Sequence, residues 1–268
     1  MNYTFGFIGV GNMGGALAKA ACRRQPEQVV ITNKTVDKAV ALAEQLDCDL
    51  AMNNEAVARD SKFVFLGVKP NCMQQLLQSI APTLENRRDK FVLVSMAAGL
   101  TTDTIIRMLG FEAPVIRIMP NTPVAIGMGV IPFCTKNVEQ EDVDELCDKM
   151  SAAGYFDPIE ERLMDAAASL SGCGPAFVYQ FIEALADGAV ACGLPRQKAV
   201  EYAARTLQGS AGLVLESGKH SAQLKDEVCS PGGSTIAGVH ALEKGGLRAA
   251  AMDAVLAACD KNAKLGKA

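Results

Sequence analysis

Several patterns that would mark common classes of binding protein are missing from this 268-residue chain. Its formal net charge is −4, so it has no basic excess for binding nucleic acid. It has only two histidines, His220 and His240, and no cysteine pair at the spacing of metal ligands, which argues against a zinc site. No apolar run is long enough to cross a bilayer. We therefore expect no nucleic acid, no metal and no membrane as partners.

The nine cysteines are scattered singly, and no two of them form a Cys-x-x-Cys pair. An odd number of isolated thiols fits a reducing compartment better than a disulfide framework. The early apolar segment Phe5–Ile8 has no basic stretch before it and is interrupted by Gly9, which is typical of a strand and not of a signal peptide. With 49% hydrophobic and 21% charged residues, the chain has the composition of a globular protein. We therefore expect a cytoplasmic location.

Short apolar runs alternate with helical patterns from residue 1 to residue 157. The predicted strands are Thr4–Ile8, Gln28–Thr32, Phe63–Val68, Phe91–Ser95 and Val115–Met119, with a weaker pair at Gly129–Cys134 and Tyr155–Asp157. The predicted helices between them are Met13–Arg23, Val36–Leu46, Cys72–Thr83, Thr101–Leu109 and Gln140–Met150. Continuous apolar strands that alternate with helices indicate a mostly parallel sheet with both faces covered. The sequence thus predicts a doubly wound α/β domain over residues 1–157.

After Pro158 the strand signals vanish and alanine becomes frequent, which predicts an all-helical domain over residues 158–268. Its longest predicted helix, Ala176–Cys192, is closed by Gly193. Apolar residues such as Phe177 and Val178 lie on nearly all sides of this helix, so it must be buried. A domain of this size can hardly bury such a helix by itself. We therefore expect the helix to lie in the subunit interface of a homodimer or a larger oligomer.

The first predicted strand runs into Gly9-Val10-Gly11-Asn12-Met13-Gly14, a Gly-x-Gly-x-x-Gly pattern at the start of a helix. The first glycine allows a tight turn, the second lets a pyrophosphate approach the backbone, and the third lets the helix pack on the strand. The same pattern is also compatible with a structural turn that binds no nucleotide. Its place between a strand and a helix favours a Rossmann-type dinucleotide site. The residues of this pattern, Gly9–Gly14, are therefore candidates for contact with a dinucleotide.

The second strand ends at Thr32-Asn33-Lys34-Thr35, where an NAD-specific site usually has an acidic residue for the ribose 2′-hydroxyl. Asn33 carries no charge that would repel a 2′-phosphate, whereas Lys34 and Thr35 supply a cation and a hydroxyl for one. These residues favour NADPH, with NADH still possible. The alternative is that they form only a solvated loop with Lys34 pointing outward.

Further cofactor residues are expected where other strands end. Residues at the carboxyl edge of a parallel sheet line the ligand crevice. By this rule the strand end Leu66–Asn71, together with Asn54 and Ala97-Ala98-Gly99, lies at the edge where a ligand would bind. Val68-Lys69-Pro70 is equally compatible with a plain strand end followed by a proline at a helix start.

A second glycine-rich turn lies near the C-terminus, at Ser230-Pro231-Gly232-Gly233-Ser234-Thr235, which we call the C-terminal turn. The proline restricts one backbone angle and the glycines free the next ones. The residues from Ile236 onward have the pattern of a helix, and the N-terminus of a helix offers unpaired N–H groups to a carboxylate or a phosphate.

Five segments occur in one order along the chain. They are Gly9–Gly14, Val68-Lys69-Pro70, Pro120-Asn121-Thr122-Pro123, Ser171-Gly172-x-Gly174-Pro175-Ala176 and Leu224-Lys225-Asp226-x-Val228-x-Ser230-Pro231-Gly232-Gly233-x-Thr235. This set resembles the pyrroline-5-carboxylate reductase family over essentially the whole chain. The resemblance implies a Rossmann domain, an all-helical dimerisation domain, and NAD(P)H-dependent reduction of 1-pyrroline-5-carboxylate to L-proline.

The resemblance also implies which residues bind the cofactor. They are Ile8, Gly9, Val10, Gly11, Asn12, Met13, Asn33, Lys34, Thr35, Asn54, Gly67, Val68, Lys69 and Pro70, with Ala98 near the nicotinamide.

The resemblance further implies roles for single residues at the substrate. Thr235 would bond the ring nitrogen of the imine and orient it, since a hydroxyl of ordinary pKa is a poor proton source. The backbone of Gly232, Gly233 and Ser234 would hold the substrate carboxylate. Asn121 and Lys225 are also assigned to substrate binding, Lys225 in a supporting role. We interpret His240 as a structural residue and not as a general acid.

Two other functions remain open on sequence alone. A β-hydroxyacid dehydrogenase has a similar glycine turn, but it carries a lysine shortly after its second glycine-rich helix start, and Gly174–Gln180 has none. A non-catalytic protein that senses NADP would need only the cofactor half. The intact C-terminal turn argues against the sensor, because a sensor does not need a binding turn for a substrate.

Overall fold

The computed structural model describes residues 2–265, and the strands in this range form one eight-stranded sheet. The strands are β1 (Tyr3–Ile8), β2 (Val29–Thr32), β3 (Asp49–Leu50), β4 (Ser61–Leu66), β5 (Val92–Ser95), β6 (Val115–Ile118), β7 (Gly129–Lys136) and β8 (Gly154–Pro158). Their order is β3-β2-β1-β4-β5-β6-β7-β8. Every pairing is parallel except that of β6 with β7. The predicted mostly parallel sheet is confirmed.

Six helices accompany these strands. They are α1 (Asn12–Cys22), α2 (Val36–Leu46), α3 (Asn54–Asp60), α4 (Pro70–Glu85), α5 (Thr102–Leu109) and α6 (Gln140–Lys149). Local sequence explains several of their ends. The Asn53 side chain accepts a hydrogen bond from the Ala56 N–H at the start of α3, and Thr101 does the same for the Thr104 N–H in α5.

The sheet is covered on both faces because its strands alternate apolar side chains between two cores. Phe5 and Phe7 of β1 belong to one buried cluster, whereas Ile8 belongs to the other. The Phe7 ring stacks on Phe65 of β4 with their centroids 4.4 Å apart. Burial on both sides is what the continuous apolar strands predicted.

The strand order places the end of β1 at a special position. Its neighbours are β2 on one side and β4 on the other. After β1 the chain therefore continues towards one edge of the sheet, and after β4 it continues towards the other edge. Such a reversal in strand order opens a crevice at the carboxyl ends of the strands. The segments after β1, β2 and β4 therefore meet at one edge.

After β8, the described residues up to 265 are mainly helical. They comprise α7 (Met164–Ala167), a π-turn at Ala168–Gly172, and the helices α8 (Gly174–Ala191), α9 (Arg196–Ser217), α10 (Ser221–Val228), α11 (Ser234–Lys244) and α12 (Leu247–Leu265). The long helix that was predicted at Ala176–Cys192 is confirmed as α8. Among residues 2–265, no helix combines the length and the apolar content needed to cross a membrane.

The chain divides into two compact units. The residues up to Cys173, together with those from Ala258 onward, form what we call the sheet unit, and Gly174–Ala257 form the helical unit. The domain boundary predicted after residue 157 falls within the sheet unit and stays a prediction. Two short elements, β3 and α3, had no sequence prediction, because two or seven residues are too few to show a period.

Candidate active site

The turn after β1 depends on its glycines. Gly9 has a φ of +91°, which a side chain would strain, and its N–H donates to the Thr32 carbonyl at 2.9 Å. A Cβ on Gly14 would lie 2.2 Å from the Gly9 oxygen, so the third glycine of the pattern is required by packing. This is the packing role that the sequence pattern predicted for Gly14.

A fourth glycine completes this contact from another strand. The Gly67 N–H donates to the Ile8 carbonyl at 2.8 Å, and a Cβ on Gly67 would lie 2.1 Å from the Gly9 oxygen. The turns after β1 and β4 therefore touch backbone to backbone. The sequence marked Gly67 as a strand end but gave no sign of this contact.

Gly11 differs from these glycines, because a Cβ built on it meets no atom within 4 Å. It is the N-cap of α1, whose first N–H groups have no intrahelical partner. Its glycine is therefore not needed for packing within the chain. Open space in front of a helix N-terminus suits a pyrophosphate, so the residues present fit a dinucleotide here.

A cleft of about 730 Å³ opens beside this turn, and we call it the cofactor cleft. Predicted cofactor residues that line it are Ile8, Gly9, Gly11, Asn33, Lys34, Asn54, Gly67, Val68 and Lys69. Val10 and Asn12 line a neighbouring groove together with Lys38. Met13, Thr35, Pro70 and Ala98 line neither space.

Other residues of the cofactor cleft had no sequence signal. They are Thr32, Met52, Asn53, Glu55, Cys72, Gln75, Leu76 and Ser79, mostly from the start of α3 and one face of α4. Met52 is 98% exposed, which is unusual for a large apolar side chain. An exposed methionine at the mouth of a cleft is available to cover the flat face of a ligand ring.

Asn33 has a different role from its neighbour Lys34. The Asn33 Oδ1 accepts from the Val10 N–H at 3.2 Å, and its Nδ2 donates to the Thr35 carbonyl at 3.2 Å. Asn33 thus ties the glycine turn to the loop after β2. Lys34 is exposed, and it makes no ion pair within the described residues. It is the cation of this loop that remains available to an anionic ligand.

The C-terminal turn lies in the helical unit and has a defined backbone. The Gly233 N–H donates to the Ser230 carbonyl at 3.1 Å, and Gly232 has a φ of +68°. A proline followed by a glycine with positive φ is the pattern of a type II turn. A Cβ on Gly233 would lie 2.6 Å from the Ser230 Oγ, so a larger residue there would require the Ser230 side chain to move.

The turn ends at the N-terminus of α11. Gly233 is the N-cap, and the first intrahelical bond runs from the Ala237 N–H to the Gly233 carbonyl at 3.4 Å. The N–H groups of Ser234, Thr235 and Ile236 precede that bond and have no intrahelical partner. Thr235 is exposed beside them. Three N–H groups and one hydroxyl are therefore available at this helix start.

The charged and titratable residues near the C-terminal turn have simple surroundings. Lys225 pairs with Asp226, Nζ to Oδ1 at 2.9 Å, and the hydrogen bond from this neighbour raises the pKa of Lys225. The pair is exposed, so it contributes little to stability. His220 caps α10 by accepting from the Ala222 N–H, and His240 is exposed on α11.

Asn121 is 7% exposed and uses both ends of its carboxamide inside the sheet unit. Its Oδ1 accepts from the Val130 N–H at 2.9 Å, and its Nδ2 donates to the Ser171 carbonyl at 2.9 Å. The sequence assigned Asn121 to the substrate and did not anticipate these bonds. The predicted substrate contact stays a prediction.

A buried arginine ties the sheet to the segment before α8. Arg117 of β6 is 2% exposed and lies 3.3 Å from Glu161 and 3.5 Å from Asp165. Glu161 also accepts from the N–H and the hydroxyl of Thr102 at 2.8 and 2.9 Å. Burial, followed by the nearby Glu161 charge, raises the pKa of Cys134 to about 12. Cys134 is therefore a neutral thiol at this site.

Comparisons with known proteins agree with this arrangement along the chain. A family model described as "Pyrroline-5-carboxylate reductase dimerisation" matches residues 161–265, and one described as "NADP oxidoreductase coenzyme F420-dependent" matches residues 4–99. Pyrroline-5-carboxylate reductase of Pisum sativum is 40% identical over 267 residues, which covers 98% of this chain and 96% of that protein. The enzyme of the same name from Escherichia coli is 39% identical over 272 residues and covers 100% of both chains.

A solved structure extends the likeness to three dimensions. It is the pyrroline carboxylate reductase of Plasmodium falciparum with NADP bound, which has a TM-score of 0.85 and 34% identity. The match covers 99% of this chain and 98% of that one.

Proposed function

The chain belongs to the pyrroline-5-carboxylate reductase family, and we propose that it reduces 1-pyrroline-5-carboxylate to L-proline, the last step of proline biosynthesis, with NADPH as the reductant. The observation that carries this proposal is the C-terminal turn at the start of α11, with unpaired N–H groups beside an exposed threonine. A protein that only sensed NADP would need no such turn. The substrate fits it chemically, because it is a cyclic imine with one carboxylate.

The sheet unit would hold the cofactor in the cofactor cleft. When bound, NADPH supplies the hydride for the imine carbon. The open face of Gly11 and the first N–H groups of α1 would hold the pyrophosphate. Lys34 and Thr35 would hold the 2′-phosphate and so favour NADPH over NADH.

The helical unit would hold the substrate. The N–H groups at the start of α11 would bind the carboxylate, assisted by the positive end of the helix dipole. The Gly233 N–H is engaged by Ser230, so Ser234 and Thr235 would be the main donors, with Gly232 shaping the turn. Lys225 would support this turn from α10.

Thr235 would orient the imine through its hydroxyl. The nitrogen must carry a proton by the end of the reaction, and a hydroxyl of ordinary pKa donates one poorly. Water would supply the proton, with Thr235 holding the nitrogen in line. Most of the catalysis by the chain itself would come from positioning and electrostatics.

The helical unit would also form the subunit interface. In one chain α8 has a single buried residue, Ala186, and the apolar Val178 and Leu185 are exposed. Together with the match to the dimerisation model, this exposure supports a homodimer or a larger oligomer. The nine cysteines are all free thiols, which supports a reducing, cytoplasmic location.

An activity assay tests the proposal directly. Oxidation of NADPH and of NADH would be followed with 1-pyrroline-5-carboxylate and, separately, with a β-keto acid. We expect turnover of the imine only, faster with NADPH. Turnover of the β-keto acid would favour a β-hydroxyacid dehydrogenase, and turnover of neither would favour a sensor.

A substitution at Thr235 tests its role. Thr235→Ala removes the hydroxyl but keeps the backbone N–H, so kcat should fall about a hundredfold while NADPH binding is unchanged. Thr235→Ser is the matched control, because it keeps the hydroxyl and should retain most of the activity. An unchanged kcat in Thr235→Ala would show that the hydroxyl contact is dispensable.

A further inference from the structure

The π-turn Ala168–Gly172 leads from the sheet unit into α8, and we call it the junction turn. The Cys173 N–H donates to the Ala168 carbonyl at 3.2 Å, a bond over five residues that marks the wide turn. Wide turns of this kind leave some carbonyls without their normal helical donor. The carbonyl of Ser171 is one of them.

The sequence explains why Ser171 lacks a donor. In a continuing α-helix its carbonyl would accept from the N–H four residues later, at position 175. Position 175 is a proline, which has no N–H. The donor is supplied instead by Asn121, whose Nδ2 lies 2.9 Å from the Ser171 oxygen.

Asn121 is well placed to act as a fixed donor. It is 7% exposed, and its Oδ1 is held by the Val130 N–H at 2.9 Å, at the start of β7. The carboxamide therefore bridges two backbone groups that are far apart in sequence. A buried side chain with both ends engaged has little freedom to turn towards a substrate.

The other contacts of the junction turn do not replace this bond. The Ser169 hydroxyl donates to the Asp165 carbonyl at 2.7 Å, and Asn262 Nδ2 donates to the Ser169 Oγ at 2.9 Å. The Ser171 hydroxyl donates to the Ala167 carbonyl at 2.8 Å. These bonds hold earlier carbonyls and leave that of Ser171 to Asn121.

We propose that Asn121 is a positioning residue, which fixes the backbone from which α8 starts by giving the Ser171 carbonyl the hydrogen bond that Pro175 cannot make. This inference rests on the proposed function, because α8 opens the helical unit that carries the C-terminal turn. The cofactor cleft does not include Asn121, Val130 or Ser171. Loss of the bond should therefore alter the use of substrate and leave the binding of NADPH unchanged.

The first test is Asn121→Ala, with steady-state kinetics and NADPH titration side by side. We expect kcat/KM for 1-pyrroline-5-carboxylate to fall about tenfold or more, because a small shift of a positioned group has large kinetic effects. The Kd for NADPH should stay within about twofold. Asn86→Ala is the matched control, since Asn86 also donates to a backbone carbonyl, that of Pro82, but lies exposed directly after α4. An unchanged kcat/KM in Asn121→Ala would overturn the proposal.

The second test is rescue by Pro175→Ala. This change restores an N–H at position 175, so the double variant Asn121→Ala with Pro175→Ala should recover several-fold in kcat/KM over Asn121→Ala alone. If Asn121→Ala folds too poorly for kinetics, the recovery is measured as a higher Tm of the double variant than of Asn121→Ala. A double variant no better than the single one in either measure would overturn the proposal. Because Tm needs no substrate, this readout remains decisive even if the chain reduces a different compound.

The third test uses Asn121→Asp, which keeps the acceptor for Val130 but loses the donor to Ser171. A protonated carboxyl regains that donor, and burial raises the pKa of such a group. The kcat/KM of this variant, relative to the unsubstituted protein, should therefore rise as the pH is lowered from about 8 to about 6. A constant ratio over this range would contradict the donor role of Asn121.

Discussion

The two units of this chain differ in how completely one chain buries its apolar side chains. In the sheet unit, the strands place phenylalanine, isoleucine, leucine and valine in two closed cores. In the helical unit, the buried residues are Ala186, Ala199 and Ala203, all small. Many of its large apolar side chains are exposed, including Leu215 at 85%, and the others are only partly buried.

We infer from this contrast that the two units obtain their stability from different sources. The sheet unit removes its apolar surface from water within one chain, which is the main stabilising term in folding. The helical unit leaves much of that surface open in one chain, so we expect its stability to depend on a second copy. The match to a dimerisation model falls on this part of the chain.

The largest effect is expected from a charge placed on the exposed face of α8. Leu185 is 38% exposed in one chain, and burying a glutamate there at an interface would leave an unpaired charge. Leu185→Glu should weaken dimerisation by about a hundredfold or more. Light scattering over a dilution series measures this directly.

Leu50→Glu is the matched control for this prediction. Leu50 is also a leucine of similar exposure, 42%, but it lies on β3 of the sheet unit. The Leu50→Glu substitution should therefore leave the oligomer intact. If both variants dissociated equally, or neither did, the helical unit would not be the part that needs a second copy.

A smaller effect is expected from substituting glycines of the sheet unit. Gly67 is required for packing, whereas Gly11 faces the space proposed for the cofactor, so the two roles can be tested by separate substitutions. Gly67→Ala would push a Cβ to within 2.1 Å of the Gly9 oxygen, so it should destabilise the fold by about 3 kcal/mol. Gly11→Ala meets nothing within 4 Å and should change stability by less than about 1 kcal/mol. Its methyl group would instead obstruct the pyrophosphate and weaken NADPH binding about tenfold or more.

Urea unfolding and NADPH titration of both variants measure these two quantities. If Gly67→Ala and Gly11→Ala lost equal stability, Gly11 would also be required for packing and would not face open space. Unchanged NADPH affinity in Gly11→Ala would place the pyrophosphate elsewhere.

The smallest effect is expected on the free energy of unfolding when the pH is lowered and Glu145 is protonated. Burial would raise the pKa of Glu145, but hydrogen bonds from Lys62 and Lys149 outweigh it and hold the pKa below its ordinary value of 4.5. A lowered pKa stabilises the fold above about pH 4.5, and this contribution is lost as the pH falls through the lower value in the folded state. The stability difference between the unsubstituted protein and Glu145→Gln should therefore shrink in acid.

Glu201→Gln is the control for this titration. Glu201 pairs with Arg205 on α9 of the helical unit, where both side chains are exposed. Such a pair contributes little to stability, so its removal should not alter the pH profile. A pH-independent difference for Glu145→Gln would contradict the role of its lysine partners.

Much of the fold could be predicted from local pattern. The strands β1, β2, β4, β5 and β6 were predicted because each is a continuous apolar run between turn residues. The elements β3 and α3 were missed because they are too short to show a period. Sequence also indicated that α8 needed a second subunit, since apolar residues surround it.

The candidate site was predicted in part. The glycine turn and the C-terminal turn have local signatures, and their backbones have the positive φ values that glycine permits. Met52 and Glu55 of the cofactor cleft had no signature in the sequence. They line the cleft only because the fold places the start of α3 beside it. The pattern around Asn121 marked the residue but gave no sign of its hydrogen bonds to Val130 and Ser171, and its predicted substrate contact stays a prediction.

The class of fold, the two glycine-rich turns and the need of α8 for burial could all be inferred from the sequence. These follow from periodicity and from residue types that restrict the backbone locally. Three contacts became visible only in the folded chain: Gly67 packs on Gly9, Asn33 accepts a hydrogen bond from Val10, and Asn121 donates to the carbonyl that Pro175 leaves without a donor. The reason is physical: each of these contacts joins segments that are distant in sequence, and hydrogen bonds and packing act over a few ångströms in space, whatever the separation along the chain.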